Sequence, residues 1–254
     1  MNSLIKSFTG WVAGIARYYS SENDYILGHL GMFKRTILFF TRTKIYRFLS
    51  KSLRFSNRPV SPFFGGERGM PIDRYYIDNF LFANKVDIKG RCLEVEDRKY
   101  ISRFGHDTEC LDVLCPVQIG VVNVVANLET GEDVPFDSYD CFVMTQTLPF
   151  IFDVKSAVKH ALQLLKPGGV LLITVPGITR ISTYDAGKWG HYWAFTAQSI
   201  EKLFSNYDYS ITQYGNVASA KANLDGLAAE ELSEKDLGFV DERFPVTIGV
   251  RVVK

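Results

Sequence analysis

A three-layer α/β domain on a mainly parallel sheet is what the sequence predicts, and three observations carry that prediction. From about Pro71 onward, short apolar runs of strand length alternate with stretches of helical period. The run "VLLITVP" is apolar almost throughout, as expected of a strand covered on both faces. The helix-compatible "VKSAVKHALQLL" stops at "KPGG", where proline and glycine end a helix and Lys166 suits its C-terminal dipole.

The elements follow in order. "IDRYYIDNFLFANK" suits a helix with Tyr75, Ile77, Phe80 and Leu81 inward. "RCLEVE" is a first strand, followed by helix-compatible residues to Arg103; "TECLDVL" is a second strand and "VVNVVANL" a third. "YDCFVMT" is a fourth strand after the turn "PFDS", and "VLLITVP" a fifth. "AQSIEKLF" is a helix that Thr196 caps. "YSITQYG" is a sixth strand, "ASAKANLDGLAAEEL" a helix, and "FPVTIGVRVVK" a long final strand.

Composition places the body in an ordinary globular class, with 46% hydrophobic and 22% charged residues among 254. No apolar run approaches the roughly 20 residues of a membrane span, and the N-terminus makes a poor signal peptide. Cys92, Cys110, Cys115 and Cys141 form no C-x-x-C pair, which favours reduced thiols in a cytosolic protein over a metal site. The charge is uneven: residues 1–60 hold ten Lys/Arg against Glu22 and Asp24, a net +8, and the remainder carries −7. Three parts are expected: a basic amphipathic arm (1–60), a Pro/Gly/Ser-rich linker (61–70) and the α/β body (71–254). In the arm, Phe33, Ile37, Phe40, Ile45, Phe48 and Leu49 alternate with basic residues. That pattern fits a helix on an anionic membrane surface, or one packed on protein; nucleic acid is disfavoured because no binding motif accompanies the charge.

Ligands of an open α/β sheet bind beyond the carboxyl ends of the strands. Here those positions read Glu94 to Tyr100, Asp112, Asn127-Leu128 and Thr145 to Thr147, an acidic and polar set without a phosphate-binding lysine loop. Glu96-Asp97-Arg98 stand where a nucleotide loop would place glycines, and their carboxylates repel phosphate. A cationic cofactor reverses the argument. S-adenosylmethionine carries a sulfonium and an ammonium that carboxylates accept.

On these residues the chain from about Arg68 to Lys254 resembles a class I S-adenosylmethionine-dependent methyltransferase of the methyltransferase type 11 kind. The likeness lies in "FDSYDCFVMTQTLPFIFDVKSAVKHALQLLKPGGVLLITVPG", which includes the helix-ending "LKPGG". The pieces "RGMPIDRYYI", "RFG", "TQTLPFI", "WGHYWAFT" and "GNVASAKANLDGLAAEEL" resemble a bacterial subgroup associated with polysaccharide biosynthesis. The resemblance implies a Rossmann-like, seven-stranded sheet with an antiparallel last strand. It places Glu94, Glu96 and Asp97 at the methionine end of the cofactor, Asp112 at the ribose, Asn127 and Leu128 beside the adenine, and Thr145 facing the methyl group. Arg74 or Tyr75 is expected over the cofactor's carboxylate, and Tyr100 in place of the glycines that the loop lacks. The glycine-poor loop departs from the family pattern.

Methyl transfer to a sugar hydroxyl needs alignment and a general base. His191 is the first candidate and Asp185 the second, in "STYDAGKWGHYWAF", where Tyr184, Trp189, Tyr192, Trp193 and Phe195 supply aromatic faces. The same segment also reads as an aromatic lid packing the core. The expected function is O-methylation of a glycan or glycan precursor at the cytoplasmic membrane face. The alternatives are an inactive methyltransferase-fold scaffold for glycan enzymes and a methyltransferase for a small metabolite.

Overall fold

The computed structural model describes residues 57–254, so the arm's apolar series lies outside the described residues. In chain order the elements are α1 (Ile72–Ala83), β1 (Gly90–Val95), α2 (Lys99–Phe104), β2 (Thr108–Cys115), β3 (Val124–Val125), β4 (Tyr139–Thr145) and α3 (Val154–Leu164). They continue with β5 (Leu165–Pro176), α4 (Thr183–Lys188), α5 (Ala197–Phe204), β6 (Asp208–Tyr214), α6 (Val217–Asp225), α7 (Glu234–Gly238) and β7 (Thr247–Val253). The strands form one sheet in the order β3-β2-β1-β4-β5-β7-β6. β1 to β5 pair parallel, and β7 runs antiparallel between β5 and β6. The expected mixed, Rossmann-like sheet is therefore present. Its strand order reverses between β1 and β4, which opens a crevice at their carboxyl ends.

Period-two alternation assigns the two faces of the sheet. Leu93, Phe142, Met144, Leu171, Ile173 and Ile248 pack with Ala157, Ala161, Ile200 and Phe204 of α3 and α5. Cys92, Cys141, Val143 and Leu172 face the other way, onto Ile77, Phe80 and Leu81 of α1 and Tyr100 and Ile101 of α2. Phe80 lies so close to β7 that a Cβ on Gly249 would come within 2.3 Å of its ring. Local chemistry sets the helix starts: Asp153 caps α3, and Thr196 and Ser199 form a reciprocal box at α5. Gly226, at φ 71°, ends α6, so the helix expected to run on to Leu232 breaks there.

Two further expectations change. The third strand shrinks to Val124–Val125, and residues 116–123 cross from β2 to β3 without a helix. Asn123 steadies this short crossover, its side-chain oxygen accepting from the Val113 N–H at 2.7 Å and its Nδ2 donating to Asp112 at 2.6 Å. The segment 61–70, expected as a linker, is packed into the body. Ser61 and Arg68 are fully buried, and Arg68 holds both oxygens of Glu231 through Nε and Nη2 at 2.7 Å each. Composition hides this, because the burial depends on a carboxylate more than 160 residues away.

A buried ion pair broken on one side leaves an uncompensated charge, which costs about 3–5 kcal/mol. Arg68→Met or Glu231→Leu alone should lower the unfolding free energy by that order in urea titrations. The double variant should recover most of the loss.

Candidate active site

The site is built at the carboxyl end of β1. Glu94 points into the α1–α2 face and is 2% exposed. Its two oxygens accept the N–H groups of Tyr100 (3.0 Å) and Ile101 (2.8 Å), so the carboxyl tethers the start of α2. Burial raises its pKa to about 8; the two backbone bonds oppose this, and nearby Asp97 adds to it. Between these anchors the loop is closely constrained. The Glu96 N–H donates to Leu114 O at 3.0 Å, and Asp97 accepts from the Lys99 N–H at 2.9 Å. Glu96 sits at φ 66°, the left-handed conformation that a glycine adopts without steric cost. The side chains of Glu96 and Asp97 are exposed.

Arg74, at the N-terminal end of α1, reaches over this loop and donates from Nη1 to the Tyr100 hydroxyl at 3.3 Å. Burial opposes its charge, and Asp73, Tyr100 and Asp185 more than offset that. Arg74, Glu94, Glu96, Asp97 and Tyr100 are therefore gathered at one strand end, with Asp185 within electrostatic reach. Thr145 ends β4 beside them. The next residue, Gln146, has φ 50° and a buried Nε2 without a partner among the described residues.

Asp112, Asn127 and Leu128 do not join this group. Asp112 pairs in register with Leu93, three residues before β2 ends at Cys115, and its carboxylate is engaged toward the amino ends of the strands. Arg91 donates to it at 3.0 Å, the Tyr139 hydroxyl at 3.0 Å and Asn123 at 2.6 Å. Burial works against this charge, yet these donors hold the carboxyl below its usual pKa. The strand-end position at which a ribose-binding acid was expected falls instead at Cys115-Pro116. Asn127 spends its side-chain oxygen on the N–H groups of Glu129 and Thr130, closing a turn. Leu128 is buried in the main core, and its carbonyl meets His160 Nδ1 at 2.8 Å.

The aromatic segment after β5 spans the crevice. The Tyr192 N–H donates to Pro149 O and the Phe195 N–H to Pro176 O, which ties it to the turn after β4 and to the end of β5. Trp189 packs with Val113, Cys115 and Val122 at β2. Within the segment the Ser182 hydroxyl donates to Asp185 at 2.6 Å, and the Ser182 N–H meets His191 Nδ1 at 3.3 Å. Phe150 packs edge-on against His191, and Phe152 contacts Tyr192 and Trp193. Burial lowers the His191 pKa below the usual imidazole value, partly offset by Asp185. In the neutral ring, Nδ1 accepts from Ser182, so the proton sits on Nε2 and the ring presents a donor.

The family model described as "Methyltransferase domain" matches residues 84–214, more than half of the chain. The chain belongs to the methyltransferase-domain family. No curated protein matches it. Similar solved structures include the N-methyltransferase NodS from Bradyrhizobium japonicum WM9 in complex with S-adenosyl-L-homocysteine, at 11% identity over 73% of this chain and 88% of that one, TM-score 0.46. A possible histamine N-methyltransferase from Thermotoga maritima aligns at 17% identity over 72% of this chain and 91% of that one, TM-score 0.47. An S-adenosylmethionine-dependent methyltransferase from Mesorhizobium loti aligns at 14% identity over 72% and 98%, TM-score 0.46. The family assignment rests on the model match and agrees with an S-adenosylmethionine cofactor.

Within this methyltransferase domain the methionine end of such a cofactor fits best, because Glu96 and Asp97 are exposed acids and Arg74 is a cation above the same loop. The Asp112 carboxylate is already taken by Arg91, Tyr139 and Asn123. Sequence reasoning missed Ser182, which links Asp185 to His191, and Arg180, which lies beyond the end of β5. Neither carries a local signal, since a serine and an arginine in a loop match any solvated turn.

Glu94 supplies a pH test. Its folded pKa lies above the ordinary carboxylate value of 4.5, so the folded state holds its proton longer than the unfolded state does. The stability this contributes is fully present below pH 4.5 and declines as pH rises toward about 8. Glu94→Gln should flatten that part of the stability–pH curve in thermal melts.

Proposed function

We propose that the protein is an S-adenosylmethionine-dependent methyltransferase that O-methylates a hydroxyl of a glycan or glycan precursor at the cytoplasmic membrane face. The observation that carries this reading is one segment beside the β1 loop. There Asp185 and His191 are joined through Ser182 beneath exposed aromatic side chains. Phe152 is 63% exposed, Tyr184 77% and Tyr192 49%, a density of ring faces that suits stacking against a sugar.

Glu96 and Asp97 would hold the ammonium of the cofactor and Arg74 its carboxylate. When bound, the cofactor supplies a methyl group on an already activated leaving group. The protein's task is then to align the acceptor and remove its proton. Asp185 is the general base for the hydroxyl. His191, with Nδ1 engaged by Ser182, donates from Nε2 and orients the acceptor. The aromatic faces exclude water from the aligned pair. The basic arm would keep the enzyme at an anionic membrane surface, where membrane-linked glycan precursors are held.

Three features favour a second reading, a binding or scaffold protein of the same fold: Glu96 in the left-handed loop position, Asp112 turned from the ribose position, and Trp189 laid on β2. Calorimetry with S-adenosylhomocysteine separates the two. The enzyme reading expects saturable micromolar binding to the full chain, and the scaffold reading expects none at millimolar ligand.

If methyl transfer occurs, Asp185→Ala should lower kcat by about 100-fold or more, the usual worth of a general base. His191→Ala should lower it less, and S-adenosylhomocysteine affinity should change little in either variant. Unchanged turnover in both would remove the segment from the chemistry. Sedimentation of the full chain with anionic vesicles tests the membrane placement; binding should weaken as salt rises.

A further inference from the structure

Four arginines of the described residues grip a carboxylate with one edge of the guanidinium, the side formed by Nε and Nη2. Arg68 does so on Glu231, Arg243 on Asp241 and Arg251 on Asp87, each with two nitrogens to two oxygens. Arg91 brings both nitrogens to one oxygen of Asp112. Arg180 is held differently. Its guanidinium carbon lies 3.9 Å from the centre of the Phe64 ring, and Nη1 donates to Ser61 O at 3.0 Å. Nε and Nη2, the same gripping edge, are buried and have no hydrogen-bond partner among the described residues.

That arrangement is unusual for a structural arginine. Buried donors are normally paired, and a guanidinium does not shed its charge to escape the penalty. Glu67 and Asp73 lie close enough to support the charge, yet neither accepts from Nε or Nη2. The ring of Phe64 and the carbonyl of Ser61 fix the plane, so the unpartnered edge is already oriented. A side-on guanidinium edge matches the two oxygens of a carboxylate or phosphate.

The position selects which ligand is read. Arg180 follows β5 on the chain leading to Ser182, Asp185 and His191. Backbone contacts hold the approach: the Ile178 N–H donates to Pro245 O at 2.7 Å, and Asn223 Nδ2 donates to Ile178 O at 3.4 Å. Asn223 Oδ1 and the Thr174 hydroxyl, near this strand end, are also buried and unpartnered among the described residues. The loop after β1 has its own cation in Arg74. Arg180 shares the charge of Asp73 with Arg74, and its place on the acceptor side rests on its position after β5, on the chain that leads to Asp185 and His191.

We infer that Arg180 is an anion fork for the acceptor, so that the molecule methylated carries a carboxylate or phosphate gripped side-on by Nε and Nη2. This inference rests on the methyltransferase reading for the identity of the ligand as the acceptor, while the anion site itself does not.

The test uses the full chain, first saturated with S-adenosylhomocysteine, and calorimetry with glucuronate, inorganic phosphate and glucose as probes. Glucuronate or phosphate should bind saturably and neutral glucose should not; whichever anion binds names the acidic group. Arg180→Gln should weaken anion binding at least about tenfold, the loss expected for a charge-assisted pair. Arg180→Lys, which keeps the charge and loses the fork, should fall between. S-adenosylhomocysteine affinity should hold in both variants.

Absence of anion binding to a wild-type chain that binds S-adenosylhomocysteine overturns the inference without any variant. Equal anion affinity in wild type and Arg180→Gln also overturns it. A parallel loss of S-adenosylhomocysteine affinity would assign the fork to the cofactor's carboxylate and overturn the acceptor assignment. If S-adenosylhomocysteine fails to bind the folded wild type, the cofactor reading falls. The fork then stands or falls on anion binding to that chain.

Discussion

The buried carboxyl of Glu94 is the contact on which the architecture of the site depends. It sits on a central strand and reaches the first N–H groups of α2, where a helix leaves its donors unsatisfied. By holding α2 against the end of β1, it forces the three intervening residues, Glu96 to Arg98, into a tight turn. That turn places Glu96 in the left-handed region and directs Glu96 and Asp97 into solvent. It also positions Tyr100 under Arg74, which draws the N-terminal end of α1 over the loop. One desolvated acid thus organises a helix start, a loop and a cation. Burial opposes its charge, and the two N–H donors partly offset that.

The aromatic segment completes the crevice from the opposite side. It is tied to the turn after β4 and to the end of β5 by two backbone hydrogen bonds and reaches β2 through Trp189. A cofactor bound as proposed would share its strand ends with this segment. Gly190, at φ 87°, adjoins Trp189 where the chain turns back toward Tyr192. Both the fixed loop and the crossing segment converge on Asp185, the acid electrostatically coupled to Arg74 and hydrogen-bonded to Ser182.

Much of the fold was legible because strand and helix periods are local. "VLLITVP" could be placed in the sheet centre from its own residues, and Thr196 could be named as a cap from its position before "AQSIEKLF". The third strand was overread. "VVNVVANL" is apolar enough for eight residues of strand, but the short crossover leaves only two in register. The linker was overread for the opposite reason: Arg68 looks like a surface charge until Glu231 is brought to it. Among the site residues, those beside β1 could be located because a strand end can be read from sequence. Asp112 could not, since β2 runs on three residues past it and three distant donors claim its carboxylate.

By itself the sequence determined the α/β layering and the acidic character of the loop after β1, while the antiparallel final strand was implied only by the family resemblance. The first two follow from periodicity and residue charge, which act over a few residues; the helix expected to stop at "KPGG" ends at Leu164, and Lys166 lies in β5, paired with Asp140. Only the tertiary structure decided which charged groups are spent on the fold and which are left to a ligand. Asp112 and Arg68 are satisfied by partners remote in the chain, whereas Arg180 keeps two donors unpaired beside the strand ends. A side chain's hydrogen-bonding capacity is consumed in space rather than along the chain, and no local pattern records where its partners will be.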